Sequence, residues 1–275
     1  KKIKNNPNIK LILKNEVLSF SIKKNISFVN LSNKKTLQCS LIAAADGRLS
    51  KIRKKAGISS NIKDFGTTMI VCKMKHEKMH HNIAFEFFHY SQTMAILPLK
   101  RNISSVVITL PSSEANNLLK MNQNNFNKNI ISRLKGFLGE MNLISDRYTY
   151  PMLSIHANKF FESRLVLIGD SAVGMHPVTA HGFNLSLRGI DLLTKEINFA
   201  LKTKIDIGSA EVLNSYEKRF RKITLPIYLA TNGIIKLYTN QSLPAKIIRK
   251  TVLRFGNIAW PIKNAIIDEL LIKNS

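Results

Sequence analysis

The stretch RLVLIGDSAVGMHPVTAHGFNLSLRGIDLL, residues 164–193, constrains the fold more than any other part of the chain. Its apolar run stops at Gly169-Asp170, an irregular loop carrying Pro177 and Gly182 follows, and a helical pattern begins at Phe183. Strand, glycine-acid turn and helix in that order make a unit of an α/β protein. The turn then lies at the carboxyl end of the strand, where open α/β sheets bind ligands. A second such unit lies upstream. LIAAADGRLS ends a buried strand at Asp46-Gly47, and LSKIRKKAG reads as a short basic helix with Gly57 as its C-terminal cap.

The rest of the chain fits around these two units. Residues 10–42 read as a β-meander of short strands near 11–13, 17–22, 26–29 and 37–43. From 65 to 110 the longer runs TTMIVCKMK, IAFEFFHY, TMAILPL and SSVVITL predict a mostly antiparallel sheet, inserted between the α/β pieces. Asn- and Lys-rich helical material follows, and YTYPMLSIHANKFFESRLVLIG returns the chain to a buried strand. Beyond Phe183 the pattern is helical: 183–200, then 209–239 interrupted by Pro226, then two shorter helices.

With 275 residues, 44% of them hydrophobic, the chain can bury one large core or two small ones. The formal charge of +25 suggests nucleic acid or anionic lipid. However, lysine is spread from Lys1 to Lys273 and Asn and Ile are inflated as well, so a solvated surface explains the charge and no nucleic-acid partner is expected. A basic membrane- or nucleic-acid-binding protein would need a clustered face. Cys39 and Cys72 form neither a disulfide framework nor a metal-ligand spacing. No apolar run is long enough to span a bilayer and no signal-peptide core follows the Lys-rich start. Cytoplasm is therefore the default location, with peripheral association at a membrane surface or in a biosynthetic complex left open.

HEKMH, residues 76–80, matches the zinc-protease pattern H-E-x-x-H. That chemistry needs a helix, because only there do residues i and i+4 share a face and meet one metal. Here strands precede and follow, so the motif falls in their connection and no metal site is expected.

The glycine-acid turns carry more chemistry. Glycine admits close backbone approach, and a carboxylate accepts from a sugar hydroxyl. Either dipeptide alone is an ordinary turn. Gly169-Asp170, however, is followed by a helix whose first residues, Gly182, Phe183 and Asn184, offer unpaired N–H groups to an anion. A hydroxyl-bearing cofactor that becomes anionic, such as a reduced flavin, suits both.

RLVLIGDSAVGMHPVTAHGFNLSLRGIDLL resembles the second FAD-binding motif of the aromatic-ring flavin monooxygenases, and LIAAADGRLSKIRKKAGI resembles their middle Asp-Gly motif. The tail GIIKLYTNQSLPAKIIRKTVLRFGNIAWPIKNAIID is similar to the ubiquinone-biosynthesis branch, and HPVTAHGFN to its 5-demethoxyubiquinol hydroxylases. The resemblance implies FAD as cofactor, NAD(P)H as electron donor, and hydroxylation by O2 of the ring of a hydrophobic quinone precursor. It implies that Gly169 and Asp170 serve the ribityl and ribose region. Asp46 and Gly47 would serve the diphosphate side and nicotinamide recognition, and Pro177 and Gly182, Phe183 and Asn184 the ring edge. His176 and His181 flank that loop with no catalytic role assigned. The substrate would lie between this loop and the inserted sheet, where Phe85, Phe87 and Phe88 are either contacts or sheet core.

Two departures accompany the resemblance. Ala180 stands where many relatives have Gly, and the strand, G-x-G-x-x-G turn and helix that open the family are absent from the sequence. The fold expected is thus α/β: an FAD-binding Rossmann-like domain lacking its first βαβ unit, an inserted antiparallel substrate domain, and C-terminal helices. The boundaries are 1–62 for the partial FAD-binding domain, 63–150 for the insert, 151–200 for the FAD-binding domain continued, and 201–275 for the helices. The chain is expected to be part of a longer protein, short of about a hundred residues. A split or decayed flavoprotein without activity is the alternative.

Overall fold

The computed structural model describes residues 6–89, 92–176 and 182–239. The chain divides into two compact units, residues 1–62 with 154–275, and residues 63–153.

The first unit opens with an antiparallel meander, β1 (Val17–Lys23), β2 (Ile26–Leu31) and β3 (Thr36–Cys39). β2 alternates strictly, burying Ser27, Val29 and Leu31, as a strand with one covered face must. The chain then enters β4 (Ile42–Ala44) and α1 (Lys51–Lys55). Ser50 caps α1 by accepting from Arg53 N–H (2.9 Å), and Gly57, at φ +70°, ends it as the sequence predicts.

Most of the second unit is one sheet: β5 (Ser60–His76), β6 (Phe85–His89), β7 (Gln92–Pro98), β8 (Ile103–Pro111) and the short β9 (Met141–Leu143). The order is β5-β8-β7-β6, all antiparallel, and β9 pairs β5. Helices α2 (Ser112–Lys120) and α3 (Gln123–Arg133) follow β8. Alternate residues Ile70, Cys72 and Met74 of β5 and Val106, Ile108 and Leu110 of β8 share a core with Leu118, Phe126 and Ile130 of those helices.

Strand β10 (Tyr148–Ala157) returns the chain to the first unit, followed by β11 (Phe161–Glu162), β12 (Leu165–Leu167) and β13 (Val173–Gly174). Helices α4 (Gly182–Lys202) and α5 (Ala210–Thr239) complete the described chain. β12 pairs parallel to β4, Leu165 with Ile42 through Leu167 with Ala44. Leu185 and Leu193 of α4 and Leu213, Tyr216 and Phe220 of α5 pack on this pair. Buried Arg164 ties the meander to it, donating to Lys24 O (3.1 Å) and Ser40 O (2.7 Å) and pairing with Asp206.

Three expectations need correction. Residues 11–13 form no strand, because Leu11 and Leu13 stay exposed with no partner strand. The run 37–43 is two strands, not one: at Ser40-Leu41 the chain leaves the meander and joins β12. Pro226 does not interrupt its helix, since α5 runs through it with buried Tyr216, Phe220 and Tyr228 holding both halves to the core. The two shorter helices near the C-terminus lie outside the described residues.

Candidate functional site

The parallel pair brings the two glycine-acid turns together. β4 and β12 run side by side and end level at Ala44 and Leu167, so Asp46-Gly47 and Gly169-Asp170 leave the same edge of the sheet. Gly47 at φ +83° and Gly169 at φ +60° occupy the left-handed region, which explains glycine in both turns.

The carboxylates do different things. Asp46 is spent on its own turn: Oδ1 accepts from Ser50 Oγ–H (2.5 Å) and Oδ2 from Ile52 N–H (3.0 Å), which sets the entry into α1. Asp170, in the 3-10 turn Gly169–Ser171, accepts on Oδ2 from Arg48 Nε–H at 2.8 Å. Its Oδ1 has no partner among the described residues, and its side chain is 33% exposed. One oxygen is thus oriented by arginine and the other is open to a donor.

Residues that the motifs alone do not single out hold the two turns together. Arg53, fully buried, donates through Nη1 to Ser171 O (2.7 Å) and through Nη2 to Arg48 O (2.8 Å), one carbonyl in each turn. Its Nε is buried without a partner. Burial pulls the Arg53 guanidinium below its usual range, and the neighbouring Asp46 carboxylate opposes that. Ser171 Oγ–H donates to Ala44 O (2.6 Å), closing the gap between the strand ends. Tyr216 of α5 donates to Leu167 O (3.0 Å), and burial pushes its phenol up. Gly174 leaves room for Arg48, since a Cβ there would lie 2.8 Å from Arg48 Cγ.

The first turn of α4 lies against Gly169, whose added Cβ would stand 3.4 Å from Ser186 Oγ. Gly182 opens this helix, Asn184 is half-buried and Phe183 is exposed. Its first N–H groups have no acceptor within the helix, and with 21 residues behind them the dipole favours an anion. His176 is half-buried beside β13, while Pro177, Ala180 and His181 lie outside the described residues.

In the second unit, Phe85 and Phe87 are half-buried against the sheet core and meet Phe137 at ring separations of 4.8 and 6.0 Å. His76 closes β5 and His80 sits in the following loop, so the H-E-x-x-H spacing is not helical. His76 contacts Lys78 O (2.6 Å) and Ser104 Oγ (2.9 Å) through its two ring nitrogens.

Residues 17–225 match the family model described as FAD binding domain. The chain is 40% identical over 263 residues to ubiquinone hydroxylase UbiM of Neisseria meningitidis, covering 96% of this chain and 57% of that protein. It is 33% identical over 233 residues to ubiquinone hydroxylase UbiL of Rhodospirillum rubrum, covering 85% and 54%. The chain therefore spans little more than half the length of these relatives. Among solved structures it is similar to p-nitrophenol 4-monooxygenase PnpA of Pseudomonas putida, with TM-score 0.68 at 16% identity over 91% of this chain and 68% of that one. It is also similar to the anhydrotetracycline hydroxylase OxyS of Streptomyces rimosus, with TM-score 0.65 at 16% identity over 84% and 46%. The family match takes in both glycine-acid turns, Arg48, Arg53 and the first turn of α4, and by it the chain belongs to the FAD binding domain family.

Proposed function

We propose that the chain is the greater part of an FAD-dependent monooxygenase that hydroxylates the ring of a ubiquinone precursor, with NAD(P)H as electron donor and O2 as oxygen source. The observation that carries the reading is the half-used Asp170 carboxylate at the shared edge of β4 and β12. The residues fit a flavin. Asp170 Oδ1 would accept from a ribityl hydroxyl, Gly169 admits it closely, and the N–H groups of Gly182, Phe183 and Asn184 would face the ring edge that becomes anionic on reduction. Gly47 and the exposed lysines of α1, Lys51, Lys54 and Lys55, would favour the phosphate-bearing portions of FAD or of the donor. Arg48 and Arg53 would hold the acceptor in place.

When bound, FAD supplies two-electron redox chemistry and the activation of O2 for transfer of one oxygen atom. The names of the relatives, ubiquinone hydroxylases UbiM and UbiL, support the substrate class. The test is turnover by the protein at its full natural length, supplied with FAD, NAD(P)H, a short-chain phenolic quinone precursor and labelled O2. One labelled oxygen atom in the ring is the expected result. NAD(P)H oxidation that yields only peroxide, with every precursor of this class unlabelled, contradicts it.

A further inference from the structure

We propose that one end of the second unit's sheet is a docking surface for an anionic lipid bilayer. It uses neither cofactor nor substrate and stands apart from the hydroxylase reading.

Four segments meet at that end. β5 finishes there at His76, which exchanges backbone and side-chain hydrogen bonds with Asn102 at the start of β8. The β7–β8 turn is closed by Leu99 N–H donating to Ile103 O (2.9 Å). The turn 136–140 joins them, with Glu77 N–H donating to Glu140 O (3.0 Å) and Lys78 N–H to Leu138 O (3.0 Å). β6 begins there at Phe85, which meets Phe137.

From the end of β5 through the loop to β6 the usual partition is reversed. His76 and His80 are buried, at 2% and 3% exposure, while Met79 and Ile83 stand out at 61% and 52%. The inversion is built in: His80 Nδ1 accepts from Asn82 N–H (3.0 Å) and its carbonyl from Ile83 N–H (2.9 Å), with His81 and Asn82 at positive φ. Leu97, Leu99 and Phe137 are exposed at the same end. Exposed apolar side chains gathered in one place mark an interaction surface more often than chance scatter does.

The charge at this end selects the partner. Lys75, Lys78, Lys100, Arg101 and Lys135 are exposed, and none is ion-paired among the described residues. Against them stand Glu77, Glu86 and Glu140, all exposed, with Glu77 accepting from Glu140 N–H (3.2 Å). Separate apolar tips with bases between them suit a bilayer interface, where the tips enter the acyl boundary and the bases meet anionic headgroups. Four lysines and one arginine that are separated along the sequence thus meet at this end.

The test is co-sedimentation of the chain with phosphatidylcholine vesicles, with and without phosphatidylglycerol. We expect about tenfold tighter binding to the anionic vesicles at low salt, with a residual fraction that persists at high salt. Ile83→Ser with Leu99→Ser removes the salt-resistant fraction, and Lys100→Glu with Arg101→Glu removes the preference for anionic lipid. Lys34→Glu with Lys35→Glu, on the exposed β2–β3 turn of the other unit, makes the same change in net charge and leaves binding within about twofold. As a readout that needs no loss of binding, Leu99→Trp is quenched by lipids brominated on their acyl chains. Failure to bind anionic vesicles overturns the proposal and leaves these tips to a protein partner. It is equally overturned if the distant pair weakens binding as much as the local one, or if the added tryptophan is not quenched.

Discussion

His156 sits on β10 with its ring between Phe160 and Tyr228, at 5.3 and 5.2 Å, and its Nε2 within 3.3 Å of Thr224 Oγ1. Burial, reinforced by the nearby Arg221 cation, lowers its pKa from 6.5 to about 4. A folded-state pKa below the unfolded value means that the unfolded chain binds the proton better. Stability supplied by neutral His156 is therefore present above pH 6.5 and lost as pH falls towards 4, by roughly 1.4 kcal/mol per unit between them. Urea unfolding across that range should show a flatter acid limb for His156→Gln than for the parent; equal slopes would place the acid sensitivity elsewhere. Arg53 makes a second residue-scale prediction. Arg53→Met strands buried Ser171 O and part-buried Arg48 O and should cost about 3 kcal/mol in the same assay. Arg53→Lys should not restore it, because one ammonium lacks the fork that reaches both carbonyls. Asp170 and the two glycines were legible in the sequence because turn chemistry is local. Arg48, Arg53 and Ser171 were not, because their partners lie 122, 118 and 127 residues away along the chain.

Helices α4 and α5 cross where Gly189 faces Phe220, and a Cβ on Gly189 would stand 2.8 Å from the ring's Cζ. Both sides of that contact are buried, so the ring cannot simply swing into solvent. Gly189→Ala should separate the helices and destabilise the protein by about 1–3 kcal/mol, read as a lower Tm; an unchanged Tm would show that the crossing has slack. The helices themselves were legible, since both carry long periodic patterns, and α4 extends the expected 183–200 only to Gly182–Lys202. The course of α5 through Pro226 was not. A proline predicts a lost hydrogen bond, while the decision to continue is made by core contacts on either side of it. The β3–β4 break was hidden for a similar reason: residues 37–43 read as one apolar run, and only the identity of the neighbouring strands divides it.

For the molecule as a whole, the order of motifs along the chain carried more information than its composition. Two strands ending in glycine-acid turns pointed to neighbouring strand ends, and the parallel pairing of β4 with β12 places both turns at one edge. The charge of +25 has no face along the sequence, and five of its exposed bases lie at one end of the second unit's sheet. Both turns are anchored by the same buried guanidinium, so the cofactor reading stands or falls on Asp170, the carboxylate with an oxygen to spare. The most direct measurement is FAD affinity, titrated by flavin fluorescence on the protein at its full natural length, for the parent and for Asp170→Ala with Asp46→Ala alongside. Loss of the charge-assisted hydrogen bond should weaken FAD binding about ten- to a hundredfold in Asp170→Ala. Asp46→Ala should chiefly lower thermal stability, because its carboxylate caps α1. Undiminished FAD affinity in a folded Asp170→Ala protein would contradict the assignment of this edge as the flavin site.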